Sequence, residues 1–250
     1  VADAALRPAF DLELAGLKGG NKRNAIPREA YASFNFAPEY LPAIQQTIQK
    51  LEADLCLEFA GVEQHVELTL TGISPQAAAN TADTDKAIQL LLALPHGIVE
   101  MSAGVKGFVE TSCNLANISI EDGNLKIVTS QRSTVMTGMK DITDRINAIA
   151  HLAGAQISNT PAYPGWQPDM QSALLQRSVQ TYTAEFGHTP DVRMIHAGLE
   201  CGTIGSIYPG LDMISLGTTI ENPHSPNERL YIPSIGKVWQ YLVKFLQTYQ

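Results

Sequence analysis

Apolar residues along this chain recur with a period of two in some stretches and a helical period in others, and that alternation sets the predicted order of elements. Asp11-Leu12-Glu13-Leu14 alternates as a half-buried strand does, and Gly19-Gly20 ends it. Ala30 to Phe36 predicts a second strand with Ala30, Ala32, Phe34 and Phe36 on one face. Pro38 suits a first helical turn, and Leu41, Ile44, Ile48, Leu51 and Leu55 form one apolar stripe along the helix that follows. Val66, Leu68 and Leu70 return to the strand period, and Thr84 to Leu94 predicts a helix with Thr81 or Thr84 as N-cap. From Phe108 the chain predicts a hairpin, Leu115 to Ile120 and Leu125 to Thr129 joined by Asp122-Gly123. Asp141 is positioned to cap a helix with the stripe Ile142, Ile146, Ile149 and Leu152, ended by Gly154 in the left-handed conformation. This first part is α+β.

Composition changes at Asn159 to Asp169, where Pro161, Pro164, Gly165 and Pro168 break regular structure, so a domain crossing is expected there. Beyond it the pattern is α/β. A helix is expected from Ser172 to Phe186, ended by Gly187. Strands are expected at Val192 to Ile195 and Met213 to Leu216, and then a helix capped by Ser234 and carrying Val238, Leu242 and Phe245.

With 44% apolar residues, a chain of 250 can fill a sizeable core. Seventeen Lys and Arg against 25 Asp and Glu give a net charge of -8, which argues against a nucleic-acid partner. The most apolar stretch, Ala87 to Val99, is broken by Pro95, His96 and Gly97 and is too short to span a bilayer, so no membrane partner is expected. The opening VADAALRPAF resembles neither a secretory signal nor a natural start. Cys56, Cys113 and Cys201 are odd in number and widely spaced, which fits no disulfide framework and suggests a cytoplasmic location.

Chemistry-bearing residues are few. In HAGLECGTIG, His196, Glu200 and Cys201 sit among glycines just after a predicted strand, where open α/β sheets bind ligands; a glycine-rich connection is the competing reading. His224 lies on the stiff Pro223-His224-Ser225-Pro226 segment and could ligate zinc, although a zinc site needs further ligands that do not cluster near it in sequence. Arg132 could form a forked pair with a substrate carboxylate or simply solvate a strand face. Asn114 could bond a substrate carbonyl or satisfy backbone groups. Rossmann, P-loop, HExxH and GxSxG motifs are absent.

Five ordered stretches join these signals: Asn24-Ala25-Ile26-Pro27-Arg28-Glu29-Ala30, Val109 to Asn114, Ala162 to Asp169, His196 to Gly202, and Pro223 to Pro226. As an ordered set they resemble the aminoacyl-histidine dipeptidases, a family of two-zinc metallopeptidases. The resemblance implies an α+β lid domain, residues 1–160, inserted into an α/β catalytic domain of which only the C-terminal part, residues 161–250, is present. It implies hydrolysis of dipeptides such as Xaa-His by a zinc-activated water in the complete protein, and a homodimer formed through the lid. By the same resemblance His224 is a metal ligand, Arg132 meets the substrate carboxylate, Glu200 the amino group, and Asn114 the carbonyl region. The family's other zinc ligands and its general base have no counterpart in this chain. A segment that the family carries between Gly20 and Asn21, with a substrate-contacting histidine, is also missing. The alternative is a non-catalytic lid and dimerisation fragment that binds peptide without a metal site.

Overall fold

The structure is a computed structural model that describes residues 10–63, 65–160, 165–166, 169–193, 199–223 and 227–249. The chain is α+β and divides into two compact units: Val1–Leu94 with Leu115–Thr129 and Leu152–Gly154, and Pro95–Asn114 with Ser130–His151 and Ala155–Gln250.

In the first unit, strand β1 (Glu13–Gly19) pairs antiparallel with β2 (Ala30–Asn35), from Glu13 opposite Asn35 to Gly19 opposite Ala30, with a bulge between Leu14 and Gly16. A short 3-10 turn at Pro38–Tyr40 leads into helix α1 (Leu41–Phe59), whose buried anchor is Ile44. Helix α2 (Thr81–Ala93) begins three residues before Thr84. Its N-cap is Asn80, whose Oδ1 accepts the Asp83 N–H at 2.8 Å; Thr84 is instead a fully buried bridge to β1. The Leu14 N–H donates to Thr84 Oγ1 at 2.9 Å, and the Leu14 carbonyl accepts from the Ala79 N–H at 2.8 Å.

The expected strand at Val66 to Leu70 does not form. Val66 and Leu68 do alternate with exposed neighbours, but their polar groups go to α1: the Leu68 N–H donates to Glu52 Oε1 at 3.0 Å and the Cys56 thiol to the Val66 carbonyl at 3.4 Å. Without a neighbouring backbone to pair with, alternation alone makes no ladder.

Strands β4 (Val109–Glu121) and β5 (Asn124–Ser133) form the predicted hairpin, longer at both ends than the pattern suggested, and both run through the two units. Asp122 and Gly123 turn it with φ of 52° and 74°, the left-handed pair that a two-residue hairpin loop requires. In the first unit β4 meets β1 at Lys18 opposite Ser119 and Gly19 opposite Ile118. In the second, β3 (Gly97–Met101) pairs antiparallel with the start of β4, from Gly97 opposite Cys113 to Met101 opposite Val109.

The second unit continues with helix α3 (Met136–Leu152), which starts before Asp141; that residue therefore sits inside the helix, paired with Arg145 at 2.7 Å. Gly154 is left-handed, as expected, at φ 68°. Helix α4 (Ala173–Phe186) matches its prediction closely, with Ser172 as N-cap and left-handed Gly187 after its last turn. The stretch expected as a strand at Met213 to Leu216 is irregular. The short pair β6 (Ile220–Glu221) and β7 (Arg229–Leu230) follows it. Val192 is likewise not in a strand, and Ile195 lies outside the described residues. In helix α6 (Ile232–Gln247) the N-cap is Tyr231 rather than Ser234. Ser234 sits in the first turn, its Oγ accepting the Thr219 N–H at 3.0 Å and donating to the Tyr231 carbonyl at 2.6 Å.

Candidate functional site

The open end of the β4–β5 hairpin, within the second unit, fixes where two of the four candidate side chains stand. Thr111 Oγ1 and Ser133 Oγ share a hydrogen bond of 2.9 Å, Gln131 Nε2 donates to Cys113 Sγ at 3.9 Å, and the Thr134 N–H donates to the Glu110 carbonyl at 3.2 Å. All three contacts describe one antiparallel register and place Thr111, Cys113, Gln131 and Ser133 on a single face. Thr111, Cys113 and Ser133 are buried there. Because neighbouring residues of a strand face opposite ways, Asn114 and Arg132 share the other face. They are diagonal cross-strand neighbours, which in such pairs lie roughly 7–8 Å apart with their Cβ atoms somewhat closer, within reach of a long side chain. Both are half-buried, and Asn114 Oδ1 is a buried acceptor.

Two glycines press this hairpin end from outside it. A Cβ on Gly138, in the first turn of α3, would lie 2.8 Å from both Ser133 Oγ and Thr111 Oγ1, and one on Gly165 would lie 2.8 Å from the Ser133 carbonyl oxygen. The Val135 N–H also donates to Ser133 Oγ at 3.2 Å. The residue before Thr134 is thus held by strand, helix start and glycine segment together, and Arg132 is next to it. None of this was read from the sequence, where Thr111 and Ser133 are unremarkable small polar residues 22 positions apart. Burial pushes the Cys113 thiol above its ordinary pKa, partly offset by the bond from Gln131.

Glu200 does not stand in a glycine loop. It opens helix α5 (Glu200–Ile207), whose N-cap Leu199 offers no side-chain hydrogen bond, and a carboxylate in the first turn complements the helix dipole. His196 and His224 lie outside the described residues, so the structure describes neither the start of the HAGLECG segment nor the expected metal ligand. Among the described residues no three His, Cys, Asp or Glu side chains converge as a metal site would require. His65 sits beside Glu67 at 3.4 Å and His188 Nδ1 lies 3.0 Å from the Phe186 carbonyl, both local contacts. The described side chains therefore do not by themselves fit a metal centre, and what the site offers is amide and guanidinium donors on one strand face. An open depression of about 240 Å³ on β1 and β2, lined by Lys18, Tyr31 and Ser33 among others, involves none of the candidates. No described helix is long and apolar enough to cross a membrane.

Residues 3–60, which include β1, β2 and α1, match the family described as a peptidase dimerisation domain. The chain is 38% identical over 239 residues to the cytosol non-specific dipeptidase of Escherichia coli (strain K12), a match covering 95% of this chain and 49% of that protein. Its fold matches the crystal structure of aminoacylhistidine dipeptidase from Vibrio alginolyticus with a TM-score of 0.83 and 34% identity, over 98% of this chain and 50% of that one. The chain spans about half the length of these relatives. Over nearly its whole length it is therefore related, in sequence and in fold, to one half of a dipeptidase.

Proposed function

We propose that this chain is the substrate-holding part of a zinc-dependent dipeptidase of the aminoacyl-histidine type, residues 1–160 forming the lid and 161–250 the returning part of the catalytic domain. The observation that carries the proposal is the match to dipeptidases across almost the whole chain. The shared face of Asn114 and Arg132 adds a chemical reason. A dipeptide presents a free carboxylate, a carbonyl and a free amino group within a few bonds of each other. A guanidinium donates to a carboxylate through two parallel N–H groups, and an amide N–H can donate to the neighbouring carbonyl. Glu200, a carboxylate, is matched to the ammonium end.

In this reading His224 supplies one zinc ligand. Bound zinc would provide Lewis acidity and an activated water, and the described residues of this chain supply the binding and orientation of the peptide. The homodimer would form through the region that matches the dimerisation family, and the site of action would be the cytoplasm. The second reading is a lid and dimerisation fragment that binds peptide without cutting it, and its support is the match of residues 3–60 to a peptidase dimerisation family.

Calorimetric titration of an unbranched Xaa-His dipeptide tests the binding roles that both readings share. Arg132→Ala and Glu200→Gln should each weaken affinity about tenfold or more, the loss of one charge-assisted hydrogen bond. Unchanged affinity in both variants would remove those roles. Release of free histidine with zinc, followed chromatographically after the half of the Escherichia coli relative outside the match is supplied to the chain, separates the readings: turnover supports the first, and binding without turnover supports the second.

A further inference from the structure

The end of β5 beside Arg132 is fastened more closely than a ladder of small polar residues requires. Three parts of the second unit meet at Ser133. Across the hairpin its Oγ lies 2.9 Å from Thr111 Oγ1, and the same oxygen accepts the Val135 N–H at 3.2 Å. The start of α3 closes over this pair, since a Cβ on Gly138 would stand 2.8 Å from both hydroxyl oxygens. On the backbone side, a Cβ on Gly165 would stand 2.8 Å from the Ser133 carbonyl oxygen and 3.2 Å from that of Thr134. Neither glycine has a positive φ, so each position requires room and not a left-handed backbone.

Strand pairing alone supplies little of this hold. On the other edge of β4, the pairing with β3 shifts register between Ile98 and Glu100 and again between Glu100 and Met101, opposite Ser112 to Val109. Among the described residues β5 has β4 as its strand neighbour, so its register depends on this one partner. A slip of one residue would turn Arg132 to the buried face. Two apolar side chains would fill the space that Thr111 and Ser133 occupy, but a hydrogen bond between buried hydroxyls has a preferred distance and direction and so fixes one register.

We propose that Thr111 and Ser133 are positioning residues, whose hydroxyl pair beneath Gly138 fixes the register of β4 and β5 so that Arg132 presents its guanidinium to the substrate carboxylate. The inference rests on the reading of Arg132 as the carboxylate partner and adds the residues that aim it. A forked pair needs two parallel N–H groups in line with two oxygens, and a misplacement of about 1 Å in such a group can cost on the order of a hundredfold. Both hydroxyls lie on the face opposite Arg132, so their influence on a bound peptide passes through it.

Calorimetric titration of the 250-residue chain, with an Xaa-His dipeptide and the same peptide amidated at its C-terminus, tests this. Ser133→Ala and Thr111→Val should each weaken binding of the free acid about tenfold and change binding of the amide by less than about twofold. In the Arg132→Ala background the same two substitutions should have no further effect on the acid. Thr111→Ser, which keeps the hydroxyl, should restore most of the affinity lost in Thr111→Val. Thr111→Val preserves side-chain volume, so it carries the test even where Ser133→Ala does not fold. Equal losses for acid and amide, losses that persist without Arg132, or no loss at all would overturn the proposal and leave Arg132 its role. Arg132→Ala binding the acid as wild type does would instead strike the functional reading, and this inference with it.

Discussion

Thr84→Val offers a test of how β1 is held in place, because it removes a hydroxyl while keeping side-chain volume. Thr84 has no accessible surface and Leu14 is 4% exposed, so the Leu14 N–H that donates to Thr84 Oγ1 at 2.9 Å has no water to turn to. The same hydroxyl reaches the Ala79 carbonyl at 3.4 Å. Leaving a buried donor unsatisfied costs about 1–3 kcal/mol, and since valine fills the same space no cavity term is added. The expected loss is about 2 kcal/mol, or a fall in Tm of about 4–8 °C for a chain of this size. Thr84→Ser keeps the hydroxyl and loses one methyl, an expected loss of about 1 kcal/mol. Urea unfolding followed by circular dichroism should order the three as wild type, then serine, then valine, with a lower midpoint and an unchanged slope. A valine variant as stable as wild type, or more stable than serine, would refute the bridging role.

Three further outcomes follow from other contacts. Gly20 has φ +70°, and a Cβ there would lie 2.0 Å from the Ala116 carbonyl oxygen, so Gly20→Ala should cost about 3 kcal/mol or more in urea unfolding; wild-type stability would contradict the close approach of β1 and β4. Tyr241→Phe keeps the ring contacts with Tyr182 and Phe245 but loses the bond to Ser178, an expected loss of about 1 kcal/mol by thermal melting. In a brief iodoacetamide pulse read by mass spectrometry, exposed Cys56 should be modified first and buried Cys113 last, because burial both shields that thiol and pushes its pKa up, which keeps it in the unreactive protonated form. Equal rates at the two would contradict the burial of β4.

What the pattern of residues revealed depended on whether an element carries its own signal. Ser172 and Gly187 bracket α4, and Asp122-Gly123 turns the hairpin, because caps and left-handed turns are decided by a few adjacent residues. Val66 to Leu70 carries the strand period and Met213 to Leu216 was expected as a strand, yet neither is one, since a strand exists only when another backbone pairs with it. Thr84 shows the same limit at one position: a threonine near a helix start reads as a cap, yet its hydroxyl serves β1 from 70 residues away. Asn114 and Arg132 were legible as residues through resemblance, but their common face follows from a register set by the Thr111–Ser133 and Cys113–Gln131 contacts. Glu200 lay within text rich in glycine, and three glycines in ten residues argued for a loop; the structure instead begins a helix at Glu200 that accommodates Gly202 and Gly205.

The central claim, that the strand face bearing Asn114 and Arg132 receives a dipeptide, is tested most directly by mapping where one binds. Titrating an Xaa-His dipeptide into the ¹⁵N-labelled chain and following backbone amide shifts gives that location without requiring turnover. The account predicts shifts concentrated on residues 110–114 and 130–134, reduced when the peptide carboxylate is blocked as an amide. Shifts confined to the Lys18, Tyr31 and Ser33 depression, or equal binding of the blocked peptide, would contradict it.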